Sequence, residues 1–405
     1  MTTSLSLLFL LLPLYLIRFT IGPLPSTLLE ILIWVILATW MWKWRGKFNK
    51  LKYLVKTNKS LFIFSAIFLA AATISIFTSV DVRAAAGQWK AFYIEPFLIF
   101  LVLITTIKQK KDAELILTAL LTCGLATSLL AIYQHFTGWL VPHAFWENRQ
   151  TYRVTAWYGF PNGVGLFLAP LVPLAIYKAK TMWQIKGFSF WLSLIFIPCA
   201  LLATWYARST GGLIGVAGGL GFLLLVYKKT RWPAVAVGVL GLVGLFLLPA
   251  NNPIKQELLL QDRSGQIRVH IWNETAHLLR DRPLAGAGLA SYSERIKPYH
   301  TAVNGEGIEI FHHPHNIFLT MWVNIGLLGL IGFVGILVWF YYVGFLHIRN
   351  QYVVFLLAAT TTLLVTGLVD SPYIKNDLAL LFWLLPALLL STIDRKKDPP
   401  YTTSP

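Results

Sequence analysis

The residues best suited to chemistry form one short run, Phe311-His312-His313-Pro314-His315-Asn316, which leads directly into a long apolar stretch. Histidine exchanges protons near neutral pH, so this run could supply a general base for an incoming hydroxyl group. Pro314 suits a first helical turn because its fixed φ fits there and its missing N–H is not needed. We therefore expect His315 and Asn316 in the first turn of a membrane helix, whose N-terminus favours anionic groups such as phosphate.

Two arginines are predicted on the same side of the membrane as His315. Arg208 lies in a very short turn, 208–212, where an external cation is disfavoured and is therefore a functional candidate. Arg268 lies in the stretch 264–281, whose apolar residues recur at helical spacing and predict an amphipathic helix along the membrane surface. Together the two guanidinium groups could hold a diphosphate through bidentate hydrogen bonds. A solvated side chain facing lipid phosphates is the alternative for Arg268 alone.

Other polar and aromatic side chains are candidates for contact with a bound substrate. Asn162 follows Pro161 at the start of span six, which predicts a helix cap, with a substrate contact as the alternative. The candidate substrate-binding residues are Arg153, Asn162, Trp272, His312, His313 and Asn316.

Metal and nucleophile chemistry have weaker support. The potential zinc ligands match no known zinc spacing, so no metal and no cofactor is expected; they are His312, His313, His315, Glu306 and Glu309. No serine or cysteine stands in a recognisable nucleophile elbow. Glu95, in span four, and Asp370, at the end of span eleven, suggest an ion path. The nearby Lys90 favours a structural role for Glu95.

The chain that must position these groups is strongly apolar. Only 13% of the 405 residues are charged, against roughly 25% in soluble domains. Its apolar blocks predict an all-α polytopic membrane protein with about 12 spans, since about 20 residues cross a bilayer. The predicted spans are about 4–21, 24–42, 60–79, 84–107, 113–137, 161–177, 188–206, 210–227, 232–249, 315–346, 351–369 and 377–393.

The predicted organisation is a single integral membrane domain, 1–405, with one large external loop, 250–314, between spans nine and ten. Span ten is unusually long, so we expect it to tilt or to extend out of the bilayer. The first block lacks a basic n-region and a cleavage site, so we expect a retained helix. Cys123 and Cys199 fall inside apolar blocks and predict neither a disulfide nor a metal site.

The net charge of +17 comes largely from connectors that alternate along the chain. Placing every second connector in the cytoplasm satisfies the positive-inside rule and puts both termini inside. The same runs carry no nucleic-acid motif, so lipid contact is the better interpretation. The basic connectors lie at 43–59, 108–111, 178–186, 228–231, 349 and 395–397.

Several motifs stand together in a specific order. His315-Asn316 is followed after nine residues by Gly326-Leu-Leu-Gly329, and Arg208-Ser209 occupies the short external turn. An Arg-x-x-x-Trp helix, from Arg268 to Trp272, precedes Pro-Leu-x-Gly-x-Gly at 283–288, and a Gly-x-Pro-Asn element lies at 159–162. Over roughly residues 150–345, this order resembles the O-antigen ligases and the wider O-antigen ligase/polymerase-like membrane family.

This resemblance implies a metal-independent, inverting glycosyltransferase on the external face of a bacterial plasma (inner) membrane. It would take a glycan from an undecaprenyl diphosphate carrier. The acceptor would be the lipid A core in a ligase, or another glycan unit in a polymerase. Carried over, His315 would activate the acceptor hydroxyl while Arg208 and Arg268 hold the diphosphate. The neighbouring His312 and His313 are alternatives for the base.

A secondary transporter of a small anion is the alternative from another class. Its spans fit, but we find no convincing internal repeat and few charges at the bilayer midplane, where transporters place their sites. The polar candidates instead gather at one face, as an interfacial enzyme would place them. We therefore favour a ligase-type enzyme over a polymerase of the same family, and either over a transporter.

Overall fold

In a computed structural model, residues 1–22, 24–43, 49–148, 151–303 and 307–394 are described. Arg45, Lys47, Glu306 and the basic tail 395–397 lie outside them. Within the described residues the fold is helical, as predicted, apart from one small sheet. That sheet is an antiparallel hairpin of β1 (Arg18–Ile21) and β2 (Leu24–Thr27).

With the 3-10 helices counted, the longest connections between helices precede α9 and α17. In chain order they are α1 (Thr2–Leu10), α2 (Leu28–Lys43), α3 (Asn49–Thr57), α4 (Lys59–Phe77), α5 (Val82–Gln88), α6 (Glu95–Thr106), α7 (Lys110–Thr137), α8 (Ala144–Glu147), α9 (Asn162–Leu168), α10 (Leu171–Thr181), α11 (Phe188–Tyr206), α12 (Thr210–Val226), α13 (Lys228–Leu247), α14 (Pro253–Leu258), α15 (Arg263–Asp281), α16 (Tyr292–Arg295), α17 (Ile317–Leu346), α18 (Gln351–Gly367) and α19 (Asn376–Asp394). A π-helix (Trp89–Ile94) joins α5 to α6, and 3-10 helices lie at Leu12–Leu16 and Lys297–Tyr299.

Eight helices among the described residues are long and apolar enough to cross a membrane, which agrees with the predicted class. They are Lys59–Phe77, Val82–Thr106, Lys110–Thr137, Asn162–Thr181, Phe188–Tyr206, Lys228–Leu247, Ile317–Leu346 and Asn376–Ile393. Two shorter apolar helices, α12 and α18, coincide with predicted spans eight and eleven. Span two corresponds to the 16-residue α2. The count of twelve remains a prediction.

The first predicted span, 4–21, is not one continuous helix. Helix α1 ends at Leu10, and a 3-10 helix and β1 follow. Pro13 explains the break, because it has no N–H for the helical ladder and disfavours helix in the residue before it. The segment nevertheless runs along the bundle. The Thr2 hydroxyl donates to Asp112 at the start of α7, 3.2 Å away, whereas the Tyr15 ring lies 5.6 Å from the Lys375 Nζ, just before α19.

The long span ten proves to be a broken helix. Ile325 and Gly326 leave the helical conformation inside α17, and Gly326 has a φ of +71°. The part after the break has about 20 residues, which is the length of an ordinary span. The part before it, 317–324, leads back towards His315. The break therefore accounts for the excess length without requiring the whole helix to tilt.

A glycine-rich segment of the large loop, 283–289, is inserted against this break. The N–H groups of Ala287 and Gly288 donate to the Val323 carbonyl at 2.7 and 3.1 Å, and Leu327 donates to the Leu284 carbonyl at 3.0 Å. These bonds satisfy backbone groups that a break in a helix would otherwise expose.

Two glycines are required by this close approach. A Cβ atom on Gly286 would lie 2.4 Å from the Trp322 carbonyl oxygen, and one on Gly326 would lie 2.3 Å from that of Leu284. Both glycines also have a positive φ, which side chains disfavour. The two glycine-containing motifs of the sequence thus form one junction, the 283–289/322–327 junction.

Small residues and hydroxyls allow the membrane helices to pack closely. Gly215 and Gly219 of α12 face Thr366 and Thr362 of α18, with no room for a Cβ atom at either position. In contrast, α13 has no buried residue, so its apolar surface is available to lipid. The stretch 264–281 lies in α15, which is capped by Asp262 and buries Ile271, Leu278 and Leu279. Its position along the membrane surface remains a prediction.

Candidate functional site

His315 lies just outside α17 rather than in its first turn. Its φ is +47°, which cannot continue a right-handed helix. Asn316 is extended, and its Oδ1 accepts from the N–H groups of Phe318 and Leu319 at 3.0 and 3.1 Å, so it is the N-cap. The predicted first turn at Pro314 is therefore wrong, because the cap on Asn316 starts the helix at Ile317.

Asp370 faces the His315 ring across the site. The His315 Nδ1 lies 3.3 Å from the Asp370 Oδ1, and that oxygen also accepts from the Ser371 N–H at 2.8 Å. The carboxylate is almost fully buried, whereas 18% of the histidine side chain is exposed. An ionised carboxylate can only accept, so this contact favours a proton on Nδ1 and leaves Nε2 as an acceptor. The pair has the arrangement of a base with an orienting carboxylate.

The charges around Asp370 favour its ionised form. Burial raises the pKa of Asp370, but the charge and hydrogen bond of His315, followed by the charges of His313 and Arg268, bring that pKa below its ordinary value. The carboxylate is therefore charged throughout the physiological range and can stabilise a protonated His315.

His313 stabilises the loop that carries His315 and is not suited to act as the base. Its Nδ1 accepts from the His315 backbone N–H at 3.2 Å, and the two rings lie 4.5 Å apart. Burial, and repulsion from the His315 ring when that ring is protonated, lower the pKa of His313 to about 3, so its ring is neutral at neutral pH. A group with so low a pKa is a poor proton acceptor. His312 is exposed.

Helix α15 contacts both the segment that carries Asp370 and the loop that carries His315. The Arg268 Nε donates to the Val369 carbonyl at 2.9 Å, next to Asp370, and its Nη1 donates to the Ser264 hydroxyl at 2.5 Å. One turn further along, the Trp272 Nε1 donates to the Pro314 carbonyl at 2.9 Å. The Arg-x-x-x-Trp spacing therefore places both side chains on one face of the helix, towards the site.

Arg208 occupies a strained turn between α11 and α12. Its φ of +48° is unusual for a residue other than glycine, and its side chain is exposed. Arg153 stabilises this turn, since its Nε donates to the Ala207 carbonyl at 2.9 Å and its Nη2 to the Arg208 carbonyl at 3.2 Å. Burial and the charges of Arg268 and Arg208 lower the pKa of Arg153 to about 10, so it stays charged at neutral pH. The three arginines thus form one electropositive region.

Asn162 links Arg153 to Asp370. Its Oδ1 accepts from the Arg153 Nη2 at 2.8 Å, and its Nδ2 donates to the Asp370 Oδ2 at 2.8 Å. The predicted cap is wrong, because Pro161 precedes the helix and the Asn162 side chain makes no cap bond. Asn316 makes a similar link, donating from Nδ2 to the Leu368 carbonyl at 3.0 Å.

By distance, three side chains could ligate a cation. Donor atoms of His313, His315 and Asp370 all lie within 4.8 Å of one another. However, both Asp370 oxygens already accept hydrogen bonds, and the charge of Arg268 opposes a second cation. Glu309, another potential ligand, instead lines a separate pocket with Glu274 and His300. The donor set therefore fits a proton-transfer site better than a metal centre.

Asp370 is the site residue that the sequence prediction missed. From the sequence it suggests only an ion path, as a carboxylate at the end of a span. Its signal was topological, because the loop after span eleven is predicted on the same side as His315. The contact partner itself could not be deduced, since 55 residues separate the two.

A protein-family model described as O-antigen ligase matches residues 191–334. This region is therefore similar to the O-antigen ligase family, in agreement with the resemblance found in its motifs. The match includes Arg208, Arg268 and His315, but not Asn162 or Asp370. No curated protein matches the chain.

Proposed function

We propose that this protein is a membrane glycosyltransferase that moves a glycan from an undecaprenyl diphosphate carrier to an acceptor hydroxyl. The observation that carries the proposal is the His315–Asp370 pair beside the electropositive region of Arg153, Arg208 and Arg268. Proton transfer and binding of a polyanion are the two tasks that such a reaction requires. The family match supports the same class of reaction, either ligase-like or polymerase-like.

In the proposed reaction, His315 is the general base. Asp370 holds the proton of Nδ1, so Nε2 takes the proton from the acceptor hydroxyl. The acceptor oxygen then bonds to the anomeric carbon of the donor glycan. The carbon–oxygen bond to the diphosphate breaks on the opposite side, which inverts the configuration. Asp370 stabilises the imidazolium as it forms.

The leaving group would be held by arginines. The bond electrons leave with the diphosphate, whose oxygens then carry more negative charge. Arg208 would stabilise that charge through its planar fork. Arg268 would do so through Nη2, since its Nε and Nη1 donate to Val369 and Ser264. Lysine has no planar fork and could not replace either arginine. Arg208 is exposed and so is available to a ligand. Trp272, His312 and Asn316 remain candidates for contacts with the glycan.

The proposed location is a bacterial inner membrane, with both termini cytoplasmic and the site on the external face. The alternating basic connectors support this orientation. The large loop, 250–314, would then be external and would carry α15 to the site. Lipid carrier, glycan acceptor and bilayer are the proposed partners; nucleic acid is not.

The acceptor distinguishes two versions of the proposal. We favour transfer to a lipid A core, as in a ligase, because the histidine motif is of the ligase type. Polymerisation of a glycan uses the same donor chemistry and is the alternative. A transporter of small anions has less support, since the charged groups around His315 gather beside interhelical loops.

The test uses purified protein with an undecaprenyl diphosphate-linked glycan, with and without a lipid A-core acceptor. Transfer to the core is expected, and glycan lengthening without it would instead identify a polymerase. His315→Ala should abolish transfer, whereas His277→Ala, an exposed histidine on α15, should not. If the donor is not consumed under either condition, the enzyme proposal fails.

Two further measurements examine the roles of the arginines and of metal. Arg208→Lys and Arg268→Lys should each impair transfer although the charge is kept. Full activity in both would remove the diphosphate-holding role. Transfer should survive EDTA, and loss of activity that zinc or magnesium restores would overturn the metal-independent mechanism.

A further inference from the structure

The hydrogen bonds of Arg153 hold several other groups of the site in place. Its guanidinium group is half-buried and reaches three acceptors: the Ala207 and Arg208 carbonyls and the Asn162 Oδ1. Two of these acceptors lie in the turn that carries Arg208, and the third belongs to the helix start at α9. One side chain thus connects the loop after α7 to two other elements of the site.

The bonds from Arg153 and to Asp370 together fix which way the Asn162 amide faces. An amide has an accepting end and a donating end, and arginine can only donate. Because Arg153 engages the Asn162 Oδ1, the Asn162 Nδ2 is directed to the Asp370 Oδ2 at 2.8 Å. Without Arg153, the amide oxygen would lose its donor, and the bond to Asp370 alone would hold the Asn162 side chain.

Asp370 passes this orientation on to the base. Its Oδ2 is held by Asn162, and its Oδ1 is held by the Ser371 N–H and faces the His315 Nδ1. A carboxylate fixed at both oxygens fixes the rotation of the imidazole that it contacts. The contacts therefore run without a gap from Arg153 through Asn162 and Asp370 to His315.

We propose that Arg153 and Asn162 are positioning residues that set the base and the Arg208 turn together. Arg153 holds the strained backbone of Arg208, and through Asn162 it orients the Asp370–His315 pair. The diphosphate-binding turn and the base are then aligned by one shared side chain. This inference rests on the proposed glycosyl transfer and assigns Arg153 no contact with substrate.

A double-mutant cycle tests the proposal. Arg153→Lys and Asn162→Ala should each lower kcat by about 10- to 100-fold, the effect of leaving buried acceptors without a donor. The donor KM should stay within about twofold in Asn162→Ala, because the Asn162 side chain bonds to Arg153 and Asp370 rather than to the Arg208 turn. In Arg153→Lys it should rise only together with the fall in kcat, because Arg153 also holds the Arg208 turn. The kcat of the double variant should be no lower than that of the slower single variant, since both changes break the same chain of contacts from Arg153 to His315. Arg280→Lys, at an exposed arginine on α15, is the matched control.

Direct binding of the diphosphate by Arg153 would give a different result. Arg153→Lys would then mainly raise the donor KM, and its effect would multiply with that of Asn162→Ala. Either outcome overturns the positioning role. Thermal unfolding of each variant identifies any general loss of folding.

Imidazole ¹⁵N spectra of histidine-labelled protein give a readout that needs no turnover. His315→Ala assigns the His315 signal by its loss. Arg153→Lys and Asn162→Ala should both shift that signal, whereas Arg280→Lys should not. If the His315 signal is unchanged in both Arg153→Lys and Asn162→Ala, the proposal is overturned. If wild-type protein transfers no glycan, the proposed function fails, and these spectra alone test whether Arg153 and Asn162 position His315.

Discussion

Replacing Asp370 by asparagine keeps the side-chain size but removes the charge that faces His315. Two unit charges separated by the 3.3 Å between the His315 Nδ1 and the Asp370 Oδ1 attract by about 5 kcal/mol at an effective dielectric constant of about 20. Solvent reaches 18% of the histidine side chain, which weakens this attraction. We therefore expect Asp370→Asn to cost about 2–4 kcal/mol of transition-state stabilisation, or about 30- to 900-fold in kcat.

The assay is transfer of a defined glycan from undecaprenyl diphosphate by the purified variant, with kcat measured across pH. Loss of the carboxylate makes a protonated imidazole less favourable, so the acid limb of the profile should move to lower pH. Asp281→Asn removes an exposed carboxylate from the same loop region and should leave kcat unchanged. Wild-type kcat and an unmoved acid limb in Asp370→Asn would refute the role of the pair.

Three other predictions concern stability and the role of His313. Gly326→Ala should destabilise the protein by at least about 1–2 kcal/mol, because alanine disfavours a positive φ and its Cβ would meet the Leu284 carbonyl oxygen. The control is Gly241→Ala, in open space on α13, which should not lower the thermal midpoint of unfolding. His313 has its pKa lowered to about 3 in the fold, so the unfolded chain binds the extra proton and stability should fall as pH drops from about 6.5 to 3. His313→Gln should flatten that slope in acid-unfolding curves, and an unchanged slope would contradict the assignment. His313→Ala should retain more transfer activity than His315→Ala; the reverse order would assign the base to His313.

Much of the fold was predictable because it follows from hydropathy alone. The apolar blocks gave the positions of the spans, and helical spacing gave α15 at nearly its observed bounds. The breaks were harder to predict. The irregular first span depends on Pro13, and the break at Gly326 depends on a segment some 40 residues earlier that occupies the gap. Long-range backbone contacts of this kind leave little trace in local periodicity.

The site was only partly predictable for a related reason. Residue types and the predicted topology brought Arg208, Arg268 and His315 to one face. The helix start was misplaced because Asn316 competes with Pro314 for that role, and only the cap geometry decides between them. The function of Asn162 depends on two partners, Arg153 and Asp370, of which the second lies 208 residues away. No local pattern indicates such a pairing.

The order in which a ribosome makes this chain has a consequence for when the site can exist. The stretches around His315 begin at Arg153 and end at Ser371, after α18. A nascent chain that already exposes His315 and the arginines still lacks the carboxylate that orients the ring. Under the proposed mechanism, the base is therefore completed only when almost the whole bundle has been inserted. An unfinished chain would carry the donor-binding groups without the means to transfer from them.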